Sequence, residues 1–212
     1  MSSSGLRLRL RLDMSEGLPN SERSVKSSRE FAIDSYRLQI FDGLLPDVAD
    51  YVRALSTAAF TRTEVARPET TDYKHWVTPI ALQALHRQPI LQTTVLAVAS
   101  FSGRQATYVP CRAYTNVASY GDMLFTHTDC LPDQHDLTAL WYVCDRWDIE
   151  WGGETLFFDA AQEIACAVRP KPGRLVIFDG NITHVGRPPN RICYQPRYTL
   201  AIKFQRSDVD GR

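Results

Sequence analysis

Net charge, paired cysteines and long apolar runs are all missing from this chain of 212 residues. Its 24 Lys and Arg are balanced by 24 Asp and Glu, so no overall field draws it to a nucleic-acid backbone or an anionic membrane surface. The five cysteines, Cys111, Cys130, Cys144, Cys166 and Cys193, are scattered, odd in number and never form a CxxC pair. That argues against a disulfide framework and a zinc ribbon, and it fits a reducing compartment. No apolar stretch approaches the length of a membrane span. The opening MSSSGLRLRLRLDM alternates Leu with Arg where a secretory signal needs an unbroken apolar core, so no targeting segment is expected there. The expectation is a cytoplasmic protein that binds neither membrane nor nucleic acid, with its oligomeric state open.

What is present suffices for one domain: 44% of residues are hydrophobic and 23% charged, an ordinary globular balance. Residues 1–30 are rich in Ser, Arg and Glu and offer little apolar surface after Leu12, so a flexible arm is expected there, with an edge strand at 6–12 as the alternative. A single domain is expected over 31–206, divided into a helical part at 31–105 and a β-rich part at 106–206. Helix starts are read at Pro46, with Val48, Tyr51, Val52 and Leu55 on one face, at Thr78-Pro79 as N-cap and N1, and at Pro89. From Thr107 the texture becomes short β-rich runs: 107–118, 123–128, 137–144, 154–158, 164–169, 174–179, 182–186 and 197–205. Helices followed by about eight strands predict a mainly β fold, an antiparallel double-sheet jelly roll buttressed by N-terminal helices.

Within the β-rich part, His127 and Asp129 of the run Phe125-Thr126-His127-Thr128-Asp129 lie two apart, which on an extended strand puts both on one face. His184, on a late strand, offers a third ligand. Two imidazoles and one carboxylate on one face of an octahedral ion leave open positions, the facial triad of non-heme Fe(II) oxygenases. The triplet alone carries little weight, because chance yields roughly 0.4 HxD matches in a chain of this composition. A strand His–Asp pair is also commonly a plain surface hydrogen bond.

The surrounding frame adds weight. Gly152-Gly153-Glu154-Thr155 and Pro172-Gly173-Arg174-Leu175-Val176-Ile177-Phe178 are turns entering strands, and Thr183-His184-Val185-Gly186-Arg187-Pro188-Pro189 and Arg197-Tyr198-Thr199-Leu200-Ala201-Ile202-Lys203-Phe204 follow. This ordered set, over about residues 107–205, resembles the prolyl-4-hydroxylase-type branch of the Fe(II)/2-oxoglutarate dioxygenases. A weaker echo lies in Phe41-Asp42-Gly43-Leu44-Leu45-Pro46. The resemblance implies a cupin-like double-stranded β-helix and a triad of His127, Asp129 and His184. It also implies Fe(2+), 2-oxoglutarate and O2 as cofactor and co-substrates, with succinate and CO2 released.

A dicarboxylate chelated to iron at one end needs a fixed cation at the other, for which the planar fork of Arg is suited. The resemblance puts that cation on the strand after His184, which selects Arg197, with Thr199 on the same face. The gap of 13 residues from His184 is longer than is usual in the family. It also contains Arg187 and Arg191, and its prolines predict an extended loop. On the strand before the HxD run, Tyr114 and then Asn116 are the expected co-substrate contacts.

The resemblance further implies that the retained carboxylate of Asp129 favours hydroxylation over halogenation, leaving desaturation, ring closure and demethylation open. A small metabolite or an amino-acid-derived substrate is expected. The alternatives are a prolyl or other residue in a protein, or a non-catalytic jelly-roll binding protein. Residues around Asp72–Trp76 and Trp141, Trp147 and Trp151 are near the predicted mouth, but none is assigned to substrate.

Overall fold

The computed structural model describes residues 25–45, 47–103 and 106–207. In chain order the elements are β1 (Arg29–Ile33), β2 (Tyr36–Phe41), α1 (Ala49–Ser56), β3 (Thr61–Glu64), β4 (His75–Ile80), α2 (Leu82–Leu85) and α3 (Pro89–Ser102). Then come β5 (Thr107–Ala118), β6 (Leu137–Val143), β7 (Thr155–Phe158), β8 (Ile164–Val168), β9 (Leu175–Asp179), β10 (His184–Gly186) and β11 (Arg197–Ser207). Eight strands form one antiparallel sheet in the order β1-β2-β9-β6-β11-β5-β4-β3, and β10, β7 and β8 form a second. This is the expected jelly roll, a double-stranded β-helix with supporting helices.

Both faces of the large sheet are covered, which explains why β6 and β9 read as nearly unbroken apolar runs instead of alternating ones. On one face Trp141, Val143, Ile177, Leu200, Ile202 and Phe204 pack with helix α3, whose buried Ile90, Leu91, Thr94, Ala97, Val98 and Phe101 fall on one helical stripe. On the other face Leu140, Tyr142, Val176 and Phe178 pack against Phe157, Cys166 and Val168 of the small sheet. The site lies in this second, inter-sheet layer.

Several expectations are corrected by the N-terminal half. Residues 31–105 are not chiefly helical, since they also supply the greater part of β1 and all of β2, β3 and β4 to the large sheet. The β1–β2 hairpin closes between Ile33 and Tyr36 through Asp34 at φ 53, a left-handed position that Asp tolerates. Thr78-Pro79 does not open a helix but lies in β4, where Thr78 and Pro79 pair with Thr115 and Tyr114 of β5. The pairs with β3 end at Val77, so the proline sits where β4 is bonded on one side. The helix that follows, α2, has one turn. Residues 123–128 make only an isolated bridge, His127 with His184, and no regular strand.

The expected arm at 1–30 falls largely outside the described residues, as do the 6–12 strand and the Pro46 helix start. Its last residues are structured: the Ser28 N–H donates to the Ile40 carbonyl at 2.7 Å and β1 begins at Arg29. Among the described residues, no helix is long and apolar enough to cross a membrane.

The interface between helix and sheet contains one polar link. Fully buried Trp141 donates its indole N–H to Thr94 Oγ1 at 2.8 Å, and that hydroxyl donates to the Ile90 carbonyl at 2.5 Å. Thr94→Val keeps the shape and orphans a buried donor, a loss of about 1–3 kcal/mol. Urea denaturation should show this as a lower midpoint at unchanged slope; an unchanged midpoint would show that the link contributes nothing.

Candidate metal centre and adjoining cavities

The bridge between residues 127 and 184 is the scaffold of the site. The His127 N–H donates to the His184 carbonyl and the His184 N–H to the His127 carbonyl, both at 3.0 Å. The Asp129 N–H donates to the Gly180 carbonyl at 2.7 Å, so the HTD run is tied to the segment around β10 at two points. A side chain at Gly180 would meet Cys130 Sγ at 2.8 Å, which is why glycine stands at that close approach.

As a result the ligand atoms of His127, Asp129 and His184 all lie within 4.8 Å of one another. His127 Nε2 is 3.6 Å from Asp129 Oδ1, and His184 Nε2 is 3.6 Å from Asp129 Oδ2. In each ring Nδ1 lies 3.0 Å from a backbone carbonyl, that of Phe125 for His127 and of Ile182 for His184. A proton on Nδ1 satisfies that carbonyl and leaves the Nε2 lone pair facing the carboxylate, as a metal requires. Burial pushes the His184 imidazole down to about 4 despite the opposing pull of Asp129. Burial alone would raise the Asp129 carboxyl, but the Lys203 ammonium and the two imidazoles outweigh it and hold it well below the ordinary carboxylate range. Two imidazole nitrogens and one carboxylate are a donor set that fits a divalent first-row metal.

The pleat of β11 supplies the floor. Arg197, Thr199, Ala201 and Lys203 share one strand face. Across β5 their partners are Ala118, Asn116, Tyr114 and Arg112, and across β6 Tyr142, Leu140 and Thr138 oppose Thr199, Ala201 and Lys203. Arg197, Thr199, Tyr114 and Asn116 all line one cavity of ≈ 70 Å³ together with the three clustered residues, so the structure brings together every residue that the sequence singles out.

Arg197 is 4% exposed. Its Nε donates to the Gly153 carbonyl at 2.6 Å and its Nη2 to Thr155 Oγ1 at 2.8 Å. Among the described residues no carboxylate forms an ion pair with it. Two glycines make room for it. A Cβ on Gly153, at φ +80, would stand 3.3 Å from Arg197 Cδ and 2.9 Å from Trp147 Cζ2, and one on Gly186 would stand 3.2 Å from Nη1. Arg187 and Arg191, the other basic residues of the gap, are exposed. The gap is an irregular loop docked on the glycine turn, with the Arg187 N–H donating to the Glu154 carbonyl and Asn190 N–H to that of Trp151.

Three further residues belong to the site and escape motif reading. Lys203 Nζ pairs with Asp129 Oδ2 and donates to Thr138 Oγ1 at 3.0 Å, and the Thr138 hydroxyl donates to that same carboxylate oxygen at 2.6 Å. His75, 9% exposed, lines the cavity with a buried Nε2 that has no hydrogen-bond partner. Counting by twos from Arg197 finds Lys203, and from His127 a carboxylate; nothing local points to Thr138. Of the tryptophans near the predicted mouth, Trp141 is core, and Trp147 stacks edge-on with Trp151 and donates to the Gly152 carbonyl at 2.8 Å.

Comparison with known proteins agrees with this geometry. Residues 115–205 match the model of the 2OG-Fe(II) oxygenase superfamily. No curated protein matches the sequence. Among solved structures, a prolyl hydroxylase from Trichoplax adhaerens, crystallised with a hypoxia inducible factor peptide fragment, superposes with TM-score 0.61 at 16% identity, over 79% of this chain and 83% of that one. A Pseudomonas putida prolyl-4-hydroxylase gives TM-score 0.60 at 20% identity, over 80% and 92%. The non-heme α-ketoglutarate-dependent epimerase SnoN from nogalamycin biosynthesis gives 0.59 at 14%, over 79% and 76%. These likenesses are of fold, and they span enzymes acting on a peptide and on a small molecule. The matched residues 115–205 carry His127, Asp129, His184 and Arg197, and the enzymes of that superfamily use Fe(2+), 2-oxoglutarate and O2.

Proposed function

We propose that this enzyme hydroxylates an unactivated C–H bond of a small, amino-acid-like metabolite, with His127, Asp129 and His184 as its iron ligands and Arg197 as the anchor of 2-oxoglutarate. The observation that carries the co-substrate assignment is the buried guanidinium of Arg197, without a carboxylate partner among the described residues, in the cavity that also holds the three metal-ligand candidates. A buried cation needs an anion, and the far carboxylate of 2-oxoglutarate supplies one with a geometry that matches the guanidinium fork. Thr199, Tyr114 and Asn116 line the same cavity and offer hydrogen bonds to the co-substrate.

Bound iron would supply activation of O2, oxidative decarboxylation of 2-oxoglutarate to succinate and CO2, and oxidation of the substrate C–H bond. The chain's own contribution is positional. Carbonyls of Phe125 and Ile182 orient the imidazoles, the Thr138 hydroxyl orients the Asp129 carboxylate, and Gly153 and Thr155 hold Arg197 in place. Burial of these groups excludes bulk water from the reacting centre.

A second cavity of ≈ 330 Å³ adjoins the first, a volume suited to one small molecule, and this supports the metabolite reading. The fold likeness to prolyl hydroxylases favours a second reading, hydroxylation of a prolyl or other residue in a peptide. Succinate release measured with free amino acids and with peptides separates them; release with peptides alone would overturn the first.

Anaerobic addition of Fe(II) and 2-oxoglutarate should produce the visible charge-transfer band of the chelate, and His127→Ala or Asp129→Ala should abolish it. A band that survives both substitutions would remove the metal assignment. Arg197→Met should raise the KM for 2-oxoglutarate about ten- to a hundredfold, the scale of a charged hydrogen-bonded pair. Gly186→Ala, which crowds the guanidinium without touching the metal ligands, should weaken the same affinity severalfold while Fe(II) affinity stays constant.

The buried His184 also predicts a pH dependence. An unfolded chain takes up this proton below about 6.5, the folded one only near 4, so the unfolded state binds more protons in between and stability falls as pH drops through that window. Melting of the metal-free protein should show the decline, and His184→Gln should flatten it. Equal slopes in the two proteins would show that His184 is not its source.

A further inference from the structure

Lys203 anchors no ligand in the reading above, yet it is among the best-buried charges of the site. Its side chain is 15% exposed, and among the described residues its one ion pair is with Asp129. Both cavities are lined by Lys203, Asp129 and Thr138, which therefore form the wall between them. On the far side, the second cavity is lined by Arg112, Glu64 and Asp136 as well. Arg112 is committed to Glu64 at 2.8 Å and lies over the Tyr114 ring, and Asp136 accepts from the Arg206 N–H at 3.0 Å. Lys203 is thus the cation there whose present partner is itself a metal-ligand candidate.

That arrangement changes when the triad fills. A divalent ion draws on the Asp129 carboxylate, and the ammonium beside it loses much of its counter-charge while staying buried, which is unfavourable unless another anion arrives. 2-Oxoglutarate does not supply it, because its two carboxylates are matched by the metal and Arg197. A second, independent observation points to a ligand at the same place. His75 Nε2, which has no part in the co-substrate assignment, is buried without a hydrogen-bond partner, and His75 lines both cavities. Buried polar atoms are normally satisfied, so unpaired ones facing a cavity mark where a polar molecule is received.

We infer that the ≈ 330 Å³ cavity is the primary-substrate site and that Lys203 anchors a free carboxylate of a small acid there. This rests on the iron and 2-oxoglutarate reading and narrows its substrate class: an ester- or thioester-linked group and an internal peptide residue present no free α-carboxylate. Asp136, on the far side of that cavity and in no ion pair among the described residues, suits an ammonium, so α-amino acids are the first probes.

The test loads the full chain anaerobically with Fe(II) and 2-oxoglutarate, then adds each standard free amino acid beside its α-carboxamide. Perturbation of the charge-transfer band and calorimetric Kd are read together. At least one free acid should shift the band and bind about tenfold or more tightly than its amide. Lys203→Met and Lys203→Gln should keep the band and erase the preference for acid over amide, and Lys203→Arg should restore part of it. A wild-type band with no acid-selective ligand overturns this proposal alone, as does a preference that survives both neutral variants. Loss of the band in both neutral variants, at unchanged melting temperature, would mean that Lys203 serves Asp129 and not the substrate, and would overturn it too. A wild-type protein that gives no band removes the iron and 2-oxoglutarate reading first.

Discussion

Strand β11 is hydrogen-bonded along both edges, to β5 and to β6, and it is buried on both faces. Its pleat therefore cannot slip by one residue without exchanging the core for the chemistry. Leu200, Ile202 and Phe204 pack toward the helices, which forces Arg197, Thr199, Ala201 and Lys203 toward the cavity. Three core positions and two cations thus share one registration. The register shifts only between Lys203 and Phe204, beside Pro110 and Cys111 on β5, past the last residue that the cavity uses. Proline has no N–H to give to a ladder, so a bulge there is placed where it costs the site nothing.

The same strand explains the charge distribution. Arg197 and Lys203 sit at the two ends of the cavity-facing row, and one ionised carboxylate, Asp129, lies between the imidazoles beside Lys203. Cations at both ends and a single anion near one of them form an unbalanced set by themselves. A divalent ion and a dianionic ligand would leave that excess of one positive charge unchanged, so one further anion is called for, and the position of each cation says which anionic group it can meet. Arg197 is held by neutral acceptors, a carbonyl and a hydroxyl, so its charge is left for a ligand; Lys203 is held by a carboxylate, so its charge is released only as that carboxylate is recruited.

Much of this was legible in sequence where the signal is local and periodic. The HTD spacing and the cavity-facing alternation from Arg197 follow a period of two, the glycine turns are local marks, and the structure brings Tyr114, Asn116, Arg197 and Thr199 into the cavity of the clustered residues. The N-terminal half was misjudged because its signals are weak or point the wrong way. Pro79 mimics the first residue of a helix, but pairing of β4 with β5 overrides that local preference. The β1–β2 hairpin turns on Asp34-Ser35 and not on an Asn-Gly or Asp-Gly pair, so its two short strands carried no strong turn mark. His75 and Thr138 depend on contacts across dozens of residues, which no spacing rule encodes.

The long gap between His184 and Arg197 bears on the proposed co-substrate anchor, and packing favours Arg197 over its neighbours. Were Arg187 or Arg191 the anchor, its guanidinium would have to leave solvent, and the loop would have to give up its backbone pairing with the glycine turn at Trp151 and Glu154. Arg197 needs no such change. Gly153 and Gly186 each leave a space beside its side chain that even a methyl group would crowd, and the hydroxyl of Thr155 completes the seat. The glycine turn before β7 and the glycine ending β10 are therefore two sides of one binding site for a guanidinium. Their presence in the sequence, thirty-odd residues apart, is explained by the side chain that they accommodate together.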